Sequence, residues 1–224
     1  SGNLYAQGLG LGTFAIGSGS IPSGDIRTSG NISGSSASTG SFGAVVSTNY
    51  RSFYVAAAGM TPSVTNGASA GTVEFTDGTR NTYDFLAFDG ATQEHANFQF
   101  TMPDDWNRGA LSIKFYWRST DDTSGDVIWG VNAAAITNNE GLDSVQNSFT
   151  TVTDATIGDN THLCISSPVE FTVANASTDV GDLILFRVTR DADAAGDTYN
   201  SKDAQLLGVG IQYRERAVAE ERWS

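Results

Sequence analysis

Histidine, cysteine and proline are scarce in this chain, with two His, one Cys and four Pro among 224 residues. Nucleophilic triads need an imidazole base. Both candidates, His95 and His162, fall in alternating segments that read as strands, where a hydrogen-bonded structural histidine is the expected role. No G-x-S-x-G elbow is present. Cys164 is alone, so no intrachain disulfide can form, and its place in the HLCIS segment puts the thiol in or near the core. One cysteine and two separated histidines do not make a zinc site. Basic residues are also few, 12 Lys and Arg against 25 Asp and Glu, for a formal charge of −13 and a pI near 4.3. That balance excludes duplex nucleic acid and anionic membrane as partners. No run approaches the roughly 18 apolar residues of a membrane helix.

Glycine is abundant by contrast, at 25 residues, and unevenly placed. Residues 1–52 alternate Gly or Ser with isolated apolar residues such as Leu9, Leu11, Phe14, Ile16, Ile21, Ile26, Ile32 and Phe42. These are too dispersed to make a core alone. The segment reads as an extended N-terminal arm, either a flexible linker or a strand wound with other copies of the chain.

From Phe53 the pattern changes to period two, the mark of half-buried strands. Candidate strands span 53–58, 71–76, 81–88, 95–102, 110–118, 125–136, 148–153, 162–167, 169–175, 182–190 and 204–214. Turn clusters such as TDGT, DDTSGD, NNEG and DADAAGD separate them. So many short strands need two sheets to close one core, which predicts an all-β fold, an antiparallel jelly-roll-like β-sandwich over 53–216. Helical periodicity is confined to the last residues, so 217–224, with Trp223, reads as a C-terminal tail or short helix.

Parity assigns burial within the strands. Over 110–118, Leu111, Ile113, Phe115 and Trp117 share the core face, while Ser112, Lys114, Tyr116 and Arg118 share the other. Over 182–190 the core face is Ile184, Phe186 and Val188, with Arg190 excluded as a terminal charge.

Three kinds of site are conceivable in this inventory. Acid pairs for glycoside hydrolysis, for example Asp84 with Asp89 or Glu74 with Glu94, arise freely on a surface carrying 25 acids, so no enzyme activity and no cofactor is expected. The loops DADAAGD (Asp191, Asp193, Asp197) and DDTSGD (Asp121, Asp122, Ser124, Asp126) offer hard oxygen ligands that calcium accepts, although neither follows the EF-hand register. Trp106, Trp117, Trp129 and Tyr116 are the aromatics able to stack on sugar rings. Trp117 and Trp129 belong by parity to the core, and Trp106 reads as a plug of its turn; the alternative use, stacking on a sugar, falls to Trp106 and Tyr116 as the glycan-binding candidates.

Two blocks carry a family resemblance. FQFTMPDDWNRGALSIKFYWRSTDDTSGDVIWGVNAAAI (98–136) and VGDLILFRVTRDADAAGDTYNSKDAQLLGVGIQYR (180–214) resemble a β-sandwich domain of tailed-bacteriophage virion structural proteins, and the tract SGNISGSSASTGSFG (29–43) is similar to segments of phage tail-fibre and appendage proteins. The resemblance implies a homotrimeric fibre or spike subunit in the virion that attaches to a host surface glycan, with other virion proteins held through the arm. It supplies no catalytic residues. Two alternatives keep the sandwich: a capsid decoration or head-fibre protein, and a lectin-like carbohydrate-binding module.

Overall fold

A computed structural model of the chain describes residues 49–216 apart from 77, 79, 144–145 and 175–177. The Gly/Ser tract, nearly all of the arm and the tail with Trp223 therefore lie outside the described residues. The described chain is all-β, a jelly-roll-like sandwich of two antiparallel sheets. Its strands are β1 (Tyr50–Ala56), β2 (Thr61–Pro62), β3 (Ser69–Glu74), β4 (Thr82–Phe88), β5 (Glu94–Thr101), β6 (Leu111–Ser119), β7 (Asp126–Ile136), β8 (Thr150–Ala155), β9 (Cys164–Ile165), β10 (Val169–Phe171), β11 (Leu183–Arg190) and β12 (Ala204–Arg214).

The larger sheet runs β10-β6-β12-β4-β3, with β1 also on β12 and β9 also on β6; the smaller runs β2-β5-β11-β7-β8. Long β12 is the hub of the first sheet. Its start pairs with β4 and its remainder with β1 on one side, while β6 runs along the other. A register shift between Leu206 and Gly208 changes which parity faces inward, so Leu206 and Val209 are both buried although three residues apart.

The inner faces of the sheets interdigitate. Leu111, Ile113, Phe115 and Trp117 of β6 are at most 1% exposed, as are Ile184, Phe186 and Val188 of β11. Trp129 sits among Phe115 (stacked, centroids 5.5 Å apart), Phe88 and Trp117 (edge-on, 5.3 and 5.9 Å). Phe186 stacks on Phe98 and Phe100 at 4.8 and 4.6 Å. Buried Trp117 reaches across to the other sheet, where its indole N–H donates to Asp154 (2.6 Å), so one ring supplies both packing and a polar tie. Burial raises the Asp154 pKa, partly offset by that hydrogen bond.

The structure departs from the sequence expectations in four places. The first strand begins at Tyr50, inside the segment read as arm, because Tyr50, Arg51 and Ser52 pair with Arg214, Tyr213 and Gln212. The segments 162–167 and 169–175 contribute only the two residues of β9 and the three of β10, since each lies at the outer edge of β6. His162 is not in a strand but in the turn before β9.

The fourth departure is Arg190, which is fully buried rather than a solvated strand end. Its guanidinium donates Nε to Asp197 Oδ2 (2.9 Å) and Nη2 to Oδ1 (2.8 Å), and also donates to the carbonyls of Phe88, Tyr199 and Lys202. This planar fork, matched by a carboxylate and three carbonyls, ties the ends of β4 and β11 to the loop leading into β12. A buried charge of this kind is tolerable only because every donor is used.

Candidate functional site

The outer face of the larger sheet collects the residues that parity turns away from the core. Along β12 the outward positions include Gly208 and Gly210. A side chain at Gly208 would collide with the Tyr54 ring, and one at Gly210 would press tightly on the Tyr116 ring. The missing side chains let these rings lie across the sheet, where they meet edge-to-face at 5.4 Å and 89°. Tyr54 is 52% exposed and Tyr50, on the same face of β1, is 62% exposed.

Toward the β3–β4 end of the same face opens a groove of about 540 Å³. Phe75 and Tyr83 form its aromatic wall, rings 5.9 Å apart and nearly perpendicular, with Tyr83 44% exposed. Arg118, outward from β6, crosses the floor with its guanidinium 5.1 Å from the Phe75 ring centre. It is held there by Nε donating to Gln205 and Nη1 to the Asn160 carbonyl, both at 2.6 Å. Burial pushes the Arg118 pKa below the usual arginine value, yet a guanidinium stays charged at any ordinary pH.

The opposite rim is the turn carrying Asn160, Thr161, His162 and Leu163. Asp159 orders this turn by accepting from the Thr161 amide and hydroxyl (2.8 and 2.6 Å) and lying 2.9 Å from His162 Nδ1. The Thr161 hydroxyl and amide, then His162, hold the Asp159 carboxyl down to about 2. Glu74 pairs with Arg80 at 3.0 Å. Both acids at this groove are thus engaged with neighbours, an arrangement suited to holding a polar ligand rather than to delivering a proton.

Of the residues singled out from sequence, Tyr116 lies on this outer face but outside the groove. Trp106 does not: it is 1% exposed, because its segment bridges to Glu215 and turns the indole into the core, so it cannot stack on a sugar. The three aspartates proposed for calcium are not gathered into a site. Asp197 is buried with both oxygens on Arg190 and also accepts the Ile128 amide at 3.1 Å; Asp193 stays exposed. Among the described residues no group of three metal-ligating side chains occurs. In DDTSGD, Asp121 binds Lys202, the Thr123 hydroxyl and the Tyr199 phenol. The acid pairs are also dispersed. Glu74 and Glu94 sit on different sheets, Asp84 takes the Thr72 hydroxyl and Asp89 the amide of Ala91. His95 is buried and stacked on Phe149, and Cys164 is 2% exposed.

Phe75, Tyr83, Arg118, Asn160 and His162 were missed as a group. Parity already placed Arg118 on the outer face of its strand, and the same alternation in NTYDFLAF turns Tyr83 outward. What parity lacks is register: only the β3–β4, β4–β12 and β12–β6 pairings bring these positions to one end of one sheet.

No protein-family model matches the sequence, and no curated protein matches it. Among solved structures the chain is similar to the CBM35 module of Cellvibrio japonicus Abf62, with 8% identity over 71% of this chain and 98% of that one, at a TM-score of 0.35. It is also similar to the CBM22-1 xylan-binding domain of Paenibacillus barcinonensis Xyn10C (11% identity, 76% and 95% covered, TM-score 0.36). A third is the Clostridium thermocellum xylanase 10B CBM22-1–GH10 structure with xylohexaose (9% identity, 73% of this chain and 28% of that one, TM-score 0.41). At these scores the likenesses are of general outline and carry no functional assignment.

Proposed function

We propose that this protein is a non-catalytic, glycan-binding β-sandwich that holds a saccharide on the outer face of its larger sheet. The observation that carries this reading is the clustering of two aromatic pairs, Tyr54–Tyr116 and Phe75–Tyr83, each with one exposed ring (Tyr54 and Tyr83) and one half-buried, on one sheet face, with fixed Arg118 on the floor of the groove beside the second pair. Sugar rings present apolar C–H faces and polar edges. An amphipathic surface of rings bordered by guanidinium, amide and imidazole donors meets both requirements. Direct contact of aromatic rings with solvent is otherwise unfavourable.

The test is retention of the full chain in gels containing soluble polysaccharides, followed by calorimetry with oligosaccharides of any that retard it. Tyr83→Ala and Arg118→Ala are expected to weaken the association at least tenfold without changing the melting temperature of Tyr83→Ala by more than a few degrees. Binding that survives both substitutions refutes the groove as the site.

A trimeric virion appendage is the second reading. It rests on the sequence resemblance, and is favoured by exposed Tyr50 and Tyr54 on the strand that residues 1–48 lead into, a strip that a second copy of the chain can cover. Three copies would multiply weak glycan contacts. Light scattering on the purified chain decides: a mass near three times 23.6 kDa supports it, and a monomer removes it.

A further inference from the structure

The outer face of the smaller sheet holds a second cluster that the sugar-stacking surface does not use. Strand register places Arg187 of β11 directly between Asn97 of β5 and Asn132 of β7, with His95 one step along on β5. All four point outward, because Ala96, Phe98, Val131, Ala133, Phe186 and Val188 take the inward positions. The segment 146–149 lies over this row. Asn132 Nδ2 donates to the Asn147 carbonyl (2.9 Å), Gln146 Nε2 to the Leu185 carbonyl (3.4 Å), and Phe149 stacks on the His95 ring at 5.6 Å and 5°. Beside it opens a cavity of about 420 Å³ lined by Thr61, Asn97, Gln99, Gln146 and Leu185, within the roughly 300–1,000 Å³ of small-molecule sites. Asn97 is the member of the row that lines it, and Arg187 is the next residue after the lining pair Leu185 and Phe186.

Three buried polar atoms in this row have no partner: His95 Nδ1, Arg187 Nε and Asn132 Oδ1. Such orphans are costly and rare, so three on neighbouring positions of one face mark a place shaped for something other than the protein. Arg187 is the informative one. Among the described residues its guanidinium forms neither an ion pair nor a hydrogen bond, although acids outnumber bases two to one in this chain. Arg118, half-buried like Arg187, has two hydrogen-bond partners, and fully buried Arg190 has a carboxylate and three carbonyls.

The chemistry of the row selects its ligand. A lone guanidinium matches the two oxygens of a carboxylate. The net charge of −13 repels dianions such as phosphate more than a monoanion. The Asn132 carbonyl oxygen needs a donor, which a bare carboxylate lacks and an adjacent hydroxyl provides. Burial, and then the charge of Arg187, push the His95 pKa down to about 4, so at neutral pH the imidazole is uncharged and offers one donor and one acceptor.

We propose that the Arg187–Asn132–His95 row on the outer face of the smaller sheet is a binding site for a hydroxylated carboxylate, a sugar acid of the uronate class. The guanidinium takes the carboxylate, Asn132 and His95 take its hydroxyls, and Leu185 lies under the ring. This site stands apart from the groove at Tyr83 and does not depend on it.

Calorimetric titration of the full chain with sodium glucuronate, with glucose and with inorganic phosphate at equal ionic strength tests the assignment. Glucuronate is expected to bind at least tenfold more tightly than either of the others. Arg187→Met, which keeps the side-chain length, should abolish that preference, while Tyr83→Ala leaves it intact. Should Arg187→Met not fold, Arg187→Lys replaces it, with an expected loss of at least fivefold as the two-pronged contact is lost. An aldouronic oligosaccharide binding more tightly than free glucuronate identifies a polymer as the source, and equal binding identifies the free acid; both support the site. Equal binding of glucose and glucuronate, tighter binding of phosphate, loss of the preference in Tyr83→Ala, or no binding of any of the three overturns it.

Discussion

Asp197→Ala is expected to be among the most damaging single substitutions in this domain, although Asp197 lies in a loop that reads from sequence as a solvated acidic turn. Both of its oxygens face Arg190 at 2.8 and 2.9 Å, and neither side chain has any solvent exposure. Removing the carboxylate leaves a buried guanidinium with its remaining carbonyl partners and no counter-charge, and also frees the Ile128 amide. Losing one partner of a buried pair costs about 3–5 kcal/mol. For a domain of this size each kcal/mol lowers the melting temperature by roughly 2–4 °C, so a fall of about 6–20 °C is expected in calorimetric or circular-dichroism melts. A second arm isolates the cause. Arg190→Met combined with Asp197→Leu removes both charges and should recover part of the loss, the remainder being the Phe88, Tyr199 and Lys202 carbonyls and the Ile128 amide left without these partners. Calcium at millimolar concentration should not raise the melting temperature of the wild-type chain, because Asp197 is unavailable as a ligand. A fall of less than about 3 °C in Asp197→Ala, or a double variant no better than the single one, would refute the reasoning.

Phe186→Ala removes the ring that stacks on Phe98 and Phe100 and meets Phe171 edge-on, and should cost about 3–5 kcal/mol in urea titration, with glycan retention unchanged at temperatures where the variant is folded. Stability should also fall on acidification below about pH 6.5. The folded state holds His95 near 4, so between those values the unfolded chain takes up a proton that the folded chain refuses; the loss is complete near pH 4 and amounts to about 3 kcal/mol at most. His95→Phe should flatten this part of the profile, and an unchanged slope would show that other groups set it. Gly208→Ala places a methyl group against the Tyr54 ring and the Val55 carbonyl. A cost of about 1–3 kcal/mol is expected in the same titration, together with a changed tyrosine fluorescence as Tyr54 leaves the sheet surface.

Strand alternation made much of this domain legible without coordinates. Period-two runs located most strands, and parity separated Ile113 from Lys114 and Phe186 from Arg187, because side chains of successive strand residues must point to opposite faces. The same rule does not extend to strand ends and loops. Alternation could not decide between Trp106 as a plug of its turn and Trp106 as a sugar-stacking ring; the short bridge to Glu215 turns the indole inward, which is the first of these. Arg190 was set aside as a terminal charge and proved to be the centre of a buried network, because its partner Asp197 arrives from a loop whose path no periodicity describes.

The sequence by itself determined that the chain builds an antiparallel sandwich, that it has almost no inventory for nucleophilic or zinc chemistry, and which residues of each strand belong together. Those are local properties, dictated by alternation, composition and charge. Only the tertiary structure decided which strands lie side by side. Register across β3, β4, β12 and β6 gathers Phe75, Tyr83 and Arg118 from positions 75 to 118 into one groove, and register across β5, β11 and β7 aligns Asn97, Arg187 and Asn132 in one row. Each strand carries its half of such a site in its parity, but pairing is a long-range choice among many strands of similar pattern. That choice is settled by the packing of the whole core rather than by any one segment.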